Sequence, residues 1–264
     1  MASKPTHLEP SELGTREYWD NLYTTELTNH AHDPSDTGTV WFDDSDAEAK
    51  VIEYLDDVAP SAGLPTATAS FLDLGTGNGS LLFGLRDAGW RGRMLGVDYS
   101  LRSVELARRI ARSRSRSAAP EGEAEPDVEF LEHDILRAPA SALLAGAQST
   151  GWDVVLDKGT FDAVSLSSET DPAHGGRRVG ESYRARILPL VRDGGFFLVT
   201  SCNWTEEELR GWFGGGKDDE DDEQTRRWSF VEVGKVEYPS FSFGGVKGQT
   251  ISSLCFRKTR NPGS

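Results

Sequence analysis

Apolar and polar positions along this chain switch between two periods, and each switch marks an element. After a polar start, REYWDNLYTTEL sets Tyr18 against Leu22 and Trp19 against Tyr23 at i, i+4 spacing, which predicts a short amphipathic helix. TVWFDD then leads to a helix near Ala47 to Leu55. From Ala69 short apolar runs alternate with helical patterns: FLDL, a helix from Ser80, RMLGVD, a helix from Leu101, VEFLEHD, a helix near Ala140, WDVVLDKG, a helix from Glu181 to Val191, and GFFLVTS. Such alternation predicts an α/β fold with a mostly parallel sheet and helices on both faces. After a helix over Glu206 to Phe213, RWSFVEVGKVEY and QTISSLCFRK follow without a helix between them. They read as a closing antiparallel pair, with YPSFSFGG as a hairpin before the second.

A length of 264 residues suits one substantial core, so insertions rather than a second domain are expected to account for the irregular stretches. RSRSRSAAPEGEAEPD, SSETDPAHGGRRVGES and GGGKDDEDDEQTRR have the composition of solvated loops and place insertions near 112–127, 167–182 and 214–227. Residues 1–66 read as N-terminal helices and a lid, and 67–264 as the domain proper.

Acidic residues outnumber basic ones by 43 to 28, a formal charge of -15 that repels phosphate backbones and argues against a nucleic-acid partner. Cys202 and Cys255 both fall in apolar strand-like segments, as two reduced core thiols would. His30 and His32 complete no four-ligand set, so no metal is expected, and His133 reads as a satisfied strand residue. No run has the length of a signal peptide or a membrane span, which points to a soluble cytoplasmic protein, with the nucleus left open, acting as a monomer away from membranes.

The chemistry concentrates in FLDLGTGNGSLLFGL, Phe71 to Leu85. A strand, a glycine turn and a helix start leave backbone N–H groups free to cradle a ligand. Many cofactors use a GxG element, but here Asp73 stands two residues before Gly75, and Gly79 follows Gly77 by two positions where a dinucleotide fingerprint requires three. A carboxylate at that point suits a ligand with a cationic end. The next strand ends in Asp98, where an acid can grip both hydroxyls of a ribose, and the third ends in Asp134 and Ile135, a carboxylate beside an apolar face.

As a set, DLGTGNG, VDYS and EHDIL resemble the class I S-adenosylmethionine-dependent methyltransferases, a Rossmann-like seven-stranded family, over roughly Ala69 to Lys258. The resemblance implies S-adenosylmethionine as cofactor, its methionine part held by Asp73 and the backbone of Gly75, Thr76, Gly77, Asn78 and Gly79. It implies Asp98 on the ribose, Tyr99 flanking the adenine, Asp134 and Ile135 bracketing it, and Asp157 close to both cofactor and acceptor.

LDKGTFDA at the end of the fourth strand is not the NPPY-type tetrapeptide used for planar nitrogens. Together with LGTREYWD, Leu13 to Asp20, and VWF, it is similar to the protein-lysine methyltransferases that act on translation elongation factor 1-alpha. That likeness implies Asp157 orienting a lysine amine, with Phe161, Trp41 and Trp204 as apolar or cation-binding walls. Lys158 reads as a loop ion pair, and Trp19 and Tyr23 as either core anchors or part of a cofactor lid. A nicotinamide oxidoreductase, a small-molecule methyltransferase and a noncatalytic cofactor-binding scaffold are the rival readings.

Overall fold

A computed structural model describes residues 5–117, 127–172, 175–214, 223–239, 241–243, 246–248 and 250–261. Seven strands form the main sheet: β1 Phe71–Leu74, β2 Met94–Asp98, β3 Val128–Glu132, β4 Trp152–Lys158, β5 Val191–Ser201, β6 Trp228–Val236 and β7 Ser252–Arg260. Their spatial order is β3-β2-β1-β4-β5-β7-β6. β1 to β5 pair in parallel, and β7 runs antiparallel to both of its neighbours. β7 therefore inserts between β5 and β6 and is the one reversed strand.

Every residue of β1 is buried, because helices cover both faces of a parallel sheet and leave no solvated side. Strand alternation splits the apolar residues between two cores. Phe71, Val154, Leu156, Phe196 and Leu198 pack on one face with Leu82 and Trp90, while Leu72, Val155, Phe197 and Val199 pack on the other with Tyr183 and Phe213.

The helices are α1 Arg16–His32, α2 Ala47–Ala62, α3 Ser80–Asp87, α4 Leu101–Ser117, α5 Thr160–Ser165, α6 Tyr183–Ile187, α7 Glu206–Phe213 and α8 Glu223–Arg227. α1 is longer than its sequence pattern predicts, and Tyr23 and Leu27 from α1 and Val51 and Leu55 from α2 share the core of the first sheet face. The first 66 residues thus contribute to the sheet's packing.

Several expectations change. The Arg/Ser run is helical as far as Ser117, extending α4: Arg109 pairs with Glu105 at 2.5 Å, and Arg114 reaches Asp87 while its guanidinium lies 5.1 Å from the Phe83 ring centroid. The rest of that insertion, 118–126, lies outside the described residues. The helix expected near Ala140 is a single 3-10 turn, Ala140–Leu143. The helix expected over Glu181 to Val191 is broken into a 3-10 turn, α6 and a second 3-10 turn Leu188–Leu190, where Pro189 has no N–H to offer; Val191 already begins β5.

The second insertion is not wholly a solvated loop. Thr170–Asp171 pairs with Arg177–Arg178, and Val179 and Gly180 are buried. Residues 173–174 lie outside the described set, as do 215–222 of the acidic tract; α8 follows directly after. Cys255 is a buried strand residue, but Cys202 stands past the end of β5 and is exposed, so only one of the two thiols belongs to the core. No described helix is long and apolar enough to cross a membrane.

Candidate functional site

The carboxyl ends of β1 to β5 open into a cleft of about 1370 Å³ of empty space, counting its open mouth. The glycine turn forms its floor. Gly75 and Gly77 have φ of 62° and 59°, the left-handed region where a side chain is strained. A Cβ on Gly75 would lie 2.0 Å from Thr160 Oγ1, and one on Gly77 would lie 2.8 Å from the Tyr23 hydroxyl oxygen. The glycines are therefore demanded by the protein's own packing as well as by any ligand. Gly79 has φ 83° and packs against Phe130, away from the cleft wall.

Asp98 is bound to this turn. Its Oδ2 accepts from the Gly77 N–H at 3.2 Å and its Oδ1 from the Ser100 N–H at 2.9 Å, while Ser103 Oγ donates to the Gly77 carbonyl at 2.8 Å. Burial pushes its carboxyl up to about 6 despite those donors. Beside it, Tyr99 receives the Arg16 guanidinium 5.2 Å from its ring centroid, and Arg16 also donates to the Tyr99 carbonyl. At the end of β3, Asp134 Oδ1 accepts from the Leu136 N–H at 2.9 Å and Oδ2 from Arg137 at 2.9 Å. Gly75, Thr76, Gly77, Asn78, Asp98, Tyr99, Asp134 and Ile135 all reach the cleft wall.

Asp73 does not. It is 3% exposed behind the turn, and burial pushes its carboxyl up to about 7. Asn78 reaches out of the turn: its Nδ2 donates to the Thr37 carbonyl at 2.9 Å, fastening the segment between α1 and α2 across the cleft. Trp19 and Tyr23 of α1, with Thr39, Trp41 and Phe42, line the roof. Trp19 and Trp41 stack obliquely with centroids 5.2 Å apart.

The acceptor residues expected from the sequence separate. Trp41 lines the cleft. Asp157 does not; it is 1% exposed, its Oδ1 accepts from the N–H groups of Thr160 and Phe161 at 3.0 and 3.1 Å, and its Oδ2 from the Tyr183 hydroxyl at 2.7 Å. It caps the first turn of α5 from inside the core, and burial pushes its carboxyl up to about 7. Phe161 is 1% exposed and stacks on Tyr183 and Trp204 with centroids 5.4 and 6.2 Å away, so Phe161 and Trp204 are core residues rather than walls. A strand-end position indicates proximity to the site but not which way a side chain turns.

Lys158 donates to the Trp41 carbonyl at 3.1 Å and pairs with Glu48 at 3.3 Å, the loop ion pair expected of it. Glu48 also accepts from Ser80 Oγ at 2.6 Å. Several wall residues carried no predicted role, among them Phe42, Glu169 and Asn203, and Cys202, expected in the core, lines the wall instead. Asp162 reaches the cleft and is held by Ser201 Oγ and by the Cys202 N–H at 2.9 Å. His133 also lines the cleft, and its Nε2 is buried without a hydrogen-bond partner, so it is not the satisfied strand residue expected.

A family profile described as a methyltransferase domain matches residues 65–241. Protein-lysine N-methyltransferase EFM4 of Saccharomyces cerevisiae is 39% identical over 95% of this chain and 96% of its own length. EEF1A lysine methyltransferase 2 of Danio rerio is 34% identical over 97% and 92%, and the Homo sapiens protein of that name is 33% identical over 94% and 88%. Among solved structures, magnesium protoporphyrin IX methyltransferase from Synechocystis with bound SAM aligns with 94% of this chain and 97% of its own at a TM-score of 0.50 and 16% identity, a likeness of fold.

Proposed function

The chain belongs to the methyltransferase-domain family, and we propose that it is an S-adenosylmethionine-dependent protein-lysine N-methyltransferase whose substrate is translation elongation factor 1-alpha. The observation that carries this reading is the convergence of Asp98, Asp134 and Ile135 on the glycine turn within one cleft. Curated relatives matched along nearly their whole length bear that activity in their names.

The donor set suits the cofactor. Asp98, with one oxygen on the Gly77 N–H and the other on the Ser100 N–H, keeps lone pairs for the two hydroxyls of a ribose. Ile135 and Tyr99 offer flat apolar contact to a purine, and Asp134 an acceptor for its amino group. The Gly75 to Asn78 backbone, approachable because its glycines lack side chains, receives the amino-acid end. Asp73 stays behind the turn and lines no part of the cleft. S-adenosylmethionine supplies an electrophilic methyl group.

What remains for the protein is to deliver a neutral amine in line with it. Free lysine has a pKa of ~10.4, and desolvation disfavours its charged form. Trp19 and Trp41 form an apolar wall that strips water from the incoming side chain. Holding donor and acceptor in register then supplies much of the rate. The reaction runs on a single chain in the cytoplasm, with a protein and not a nucleic acid as acceptor.

The test is transfer of a labelled methyl group to purified elongation factor 1-alpha, followed by hydrolysis and identification of methyl-lysine. A parallel thermal titration compares S-adenosylmethionine with NADH, since a ligand of the folded state raises Tm by mass action. A shift with NADH and none with S-adenosylmethionine would remove the methyltransferase reading. Label confined to small molecules in a lysate would point to the small-molecule alternative.

A further inference from the structure

Phe42 combines two features that nothing in its sequence context announces. Its backbone sits at φ 67°, ψ 25°, in the left-handed region, where a bulky aromatic residue is an outlier. Among the described non-glycine residues only Asp46, at the other end of the same short turn, shares a positive φ. Its ring also forms part of the cleft wall.

Strained residues of this kind persist only where their surroundings hold them, and they gather at functional sites. Here the restraints are visible. The Phe42 carbonyl accepts from the N–H groups of Ser45 and Ala47 at 3.1 and 3.3 Å, locking the turn into α2. On the other side, Lys158 holds the Trp41 carbonyl and lies 5.9 Å from the Phe42 ring centroid. The ring reaches the residue that precedes α5: a Cβ added to Gly159 would come within 3.2 Å of its Cζ.

Position along the sheet then assigns the ring to one end of the cleft. Asp98 and Asp134 stand at the ends of β2 and β3, whereas Gly159 and Lys158 stand at the end of β4, on the far side of β1. Two to three strand spacings of about 4.8 Å separate the two ends. That leaves the nucleoside end remote from Phe42 and the reacting end beside it.

Resting on the lysine-methyltransferase reading, we propose that Phe42 is a specificity-determining residue of that enzyme, its ring held by left-handed backbone as the wall that receives and desolvates the acceptor lysine. An aromatic face serves both stages: it removes water from the neutral amine before transfer and accommodates the more cationic methylated product afterwards. The strained turn holds the ring against Gly159 while its remaining surface packs on the core of the first sheet face.

The experiment compares Phe42→Leu and Phe42→Gly with wild type in three measurements on each protein: cofactor dissociation constant, steady-state kinetics on elongation factor 1-alpha, and Tm. Both variants are expected to bind S-adenosylmethionine within about twofold of wild type while kcat/KM falls by about tenfold or more. Phe42→Gly should melt no lower than Phe42→Leu although it removes more contact, because glycine relieves the strained φ. Unchanged kcat/KM in either folded variant would overturn the proposal, as would a loss confined to cofactor affinity. A wild-type protein that binds cofactor but methylates no lysine would instead overturn the functional reading on which the proposal rests.

Discussion

The hydroxyl of Tyr183 donates to Oδ2 of Asp157 at 2.7 Å, deep in the core between β4 and α6. With two N–H donors of α5 on its other oxygen, this carboxylate has no face turned to the cleft. Asp157 therefore positions the start of α5, which carries Thr160 beneath Gly75 and Asp162 into the cleft wall.

Asp157→Asn should act first on stability. The amide keeps an oxygen for the α5 N–H groups but turns a donor toward the Tyr183 hydroxyl, a loss of about 1–3 kcal/mol in a buried site. The carboxyl is held up at about 7, above its ordinary value, because burial outweighs the three donors. A group raised in the folded state contributes stability at low pH that is lost as pH rises through about 7. Wild-type Tm should therefore fall relative to the Asn variant as pH rises from about 4 to about 7 and level off above, measured by calorimetry. Full stability with abolished turnover would restore a direct role for Asp157 in the chemistry.

Cofactor affinity should weaken in acid. Asp98 must be ionised to accept from two ribose hydroxyls, and burial holds its carboxyl at about 6. Below that pH the proton competes with the ligand, and the dissociation constant should rise by about tenfold per pH unit. Asp98→Ala should weaken binding by about 1.5–3 kcal/mol at pH 7.5 and flatten this profile. A pH-independent constant in the wild type, titrated calorimetrically, would remove the ribose assignment.

Gly77→Ala places a methyl group 2.8 Å from the Tyr23 hydroxyl oxygen and forces alanine to φ 59°. The left-handed backbone alone costs about 1 kcal/mol. The clash adds to it by pushing α1 off the turn, so both Tm and cofactor affinity should fall. Removing the hydroxyl with Tyr23→Phe should recover part of the loss in the double variant. A strictly additive cycle would mean that the roof and the turn are not in contact.

Thr205→Ala serves as the distant comparison. Thr205 Oγ1 accepts from the Glu208 N–H at 3.3 Å and Glu208 Oε2 accepts from the Thr205 N–H at 2.9 Å, a reciprocal cap on α7. Its removal should cost about 1 kcal/mol in denaturant unfolding and leave kcat/KM unchanged once the protein is folded. A selective loss of turnover would extend the site to α7.

Local pattern carried much of this protein. Period-two and period-3.6 runs placed β1, β2, β4, α3 and α7, because burial on both sheet faces and amphipathic packing leave their mark on consecutive residues. The spacing of the glycine turn, Asp98 and Asp134 was equally legible, since the ends of successive parallel strands must converge on one edge. Side-chain direction was not. Asp157 and Asp162 lie five residues apart on the same β4–α5 unit, yet one turns into the core to meet Tyr183 and the other reaches the cleft. Only packing between distant segments decided that, just as Tyr23 and Thr160 decided why the turn excludes side chains and Lys158 fixed where the Trp41–Phe42 segment lies. The left-handed φ of Phe42 has no local signal at all, because it is imposed by contacts from both sides and opposes the residue's own preference.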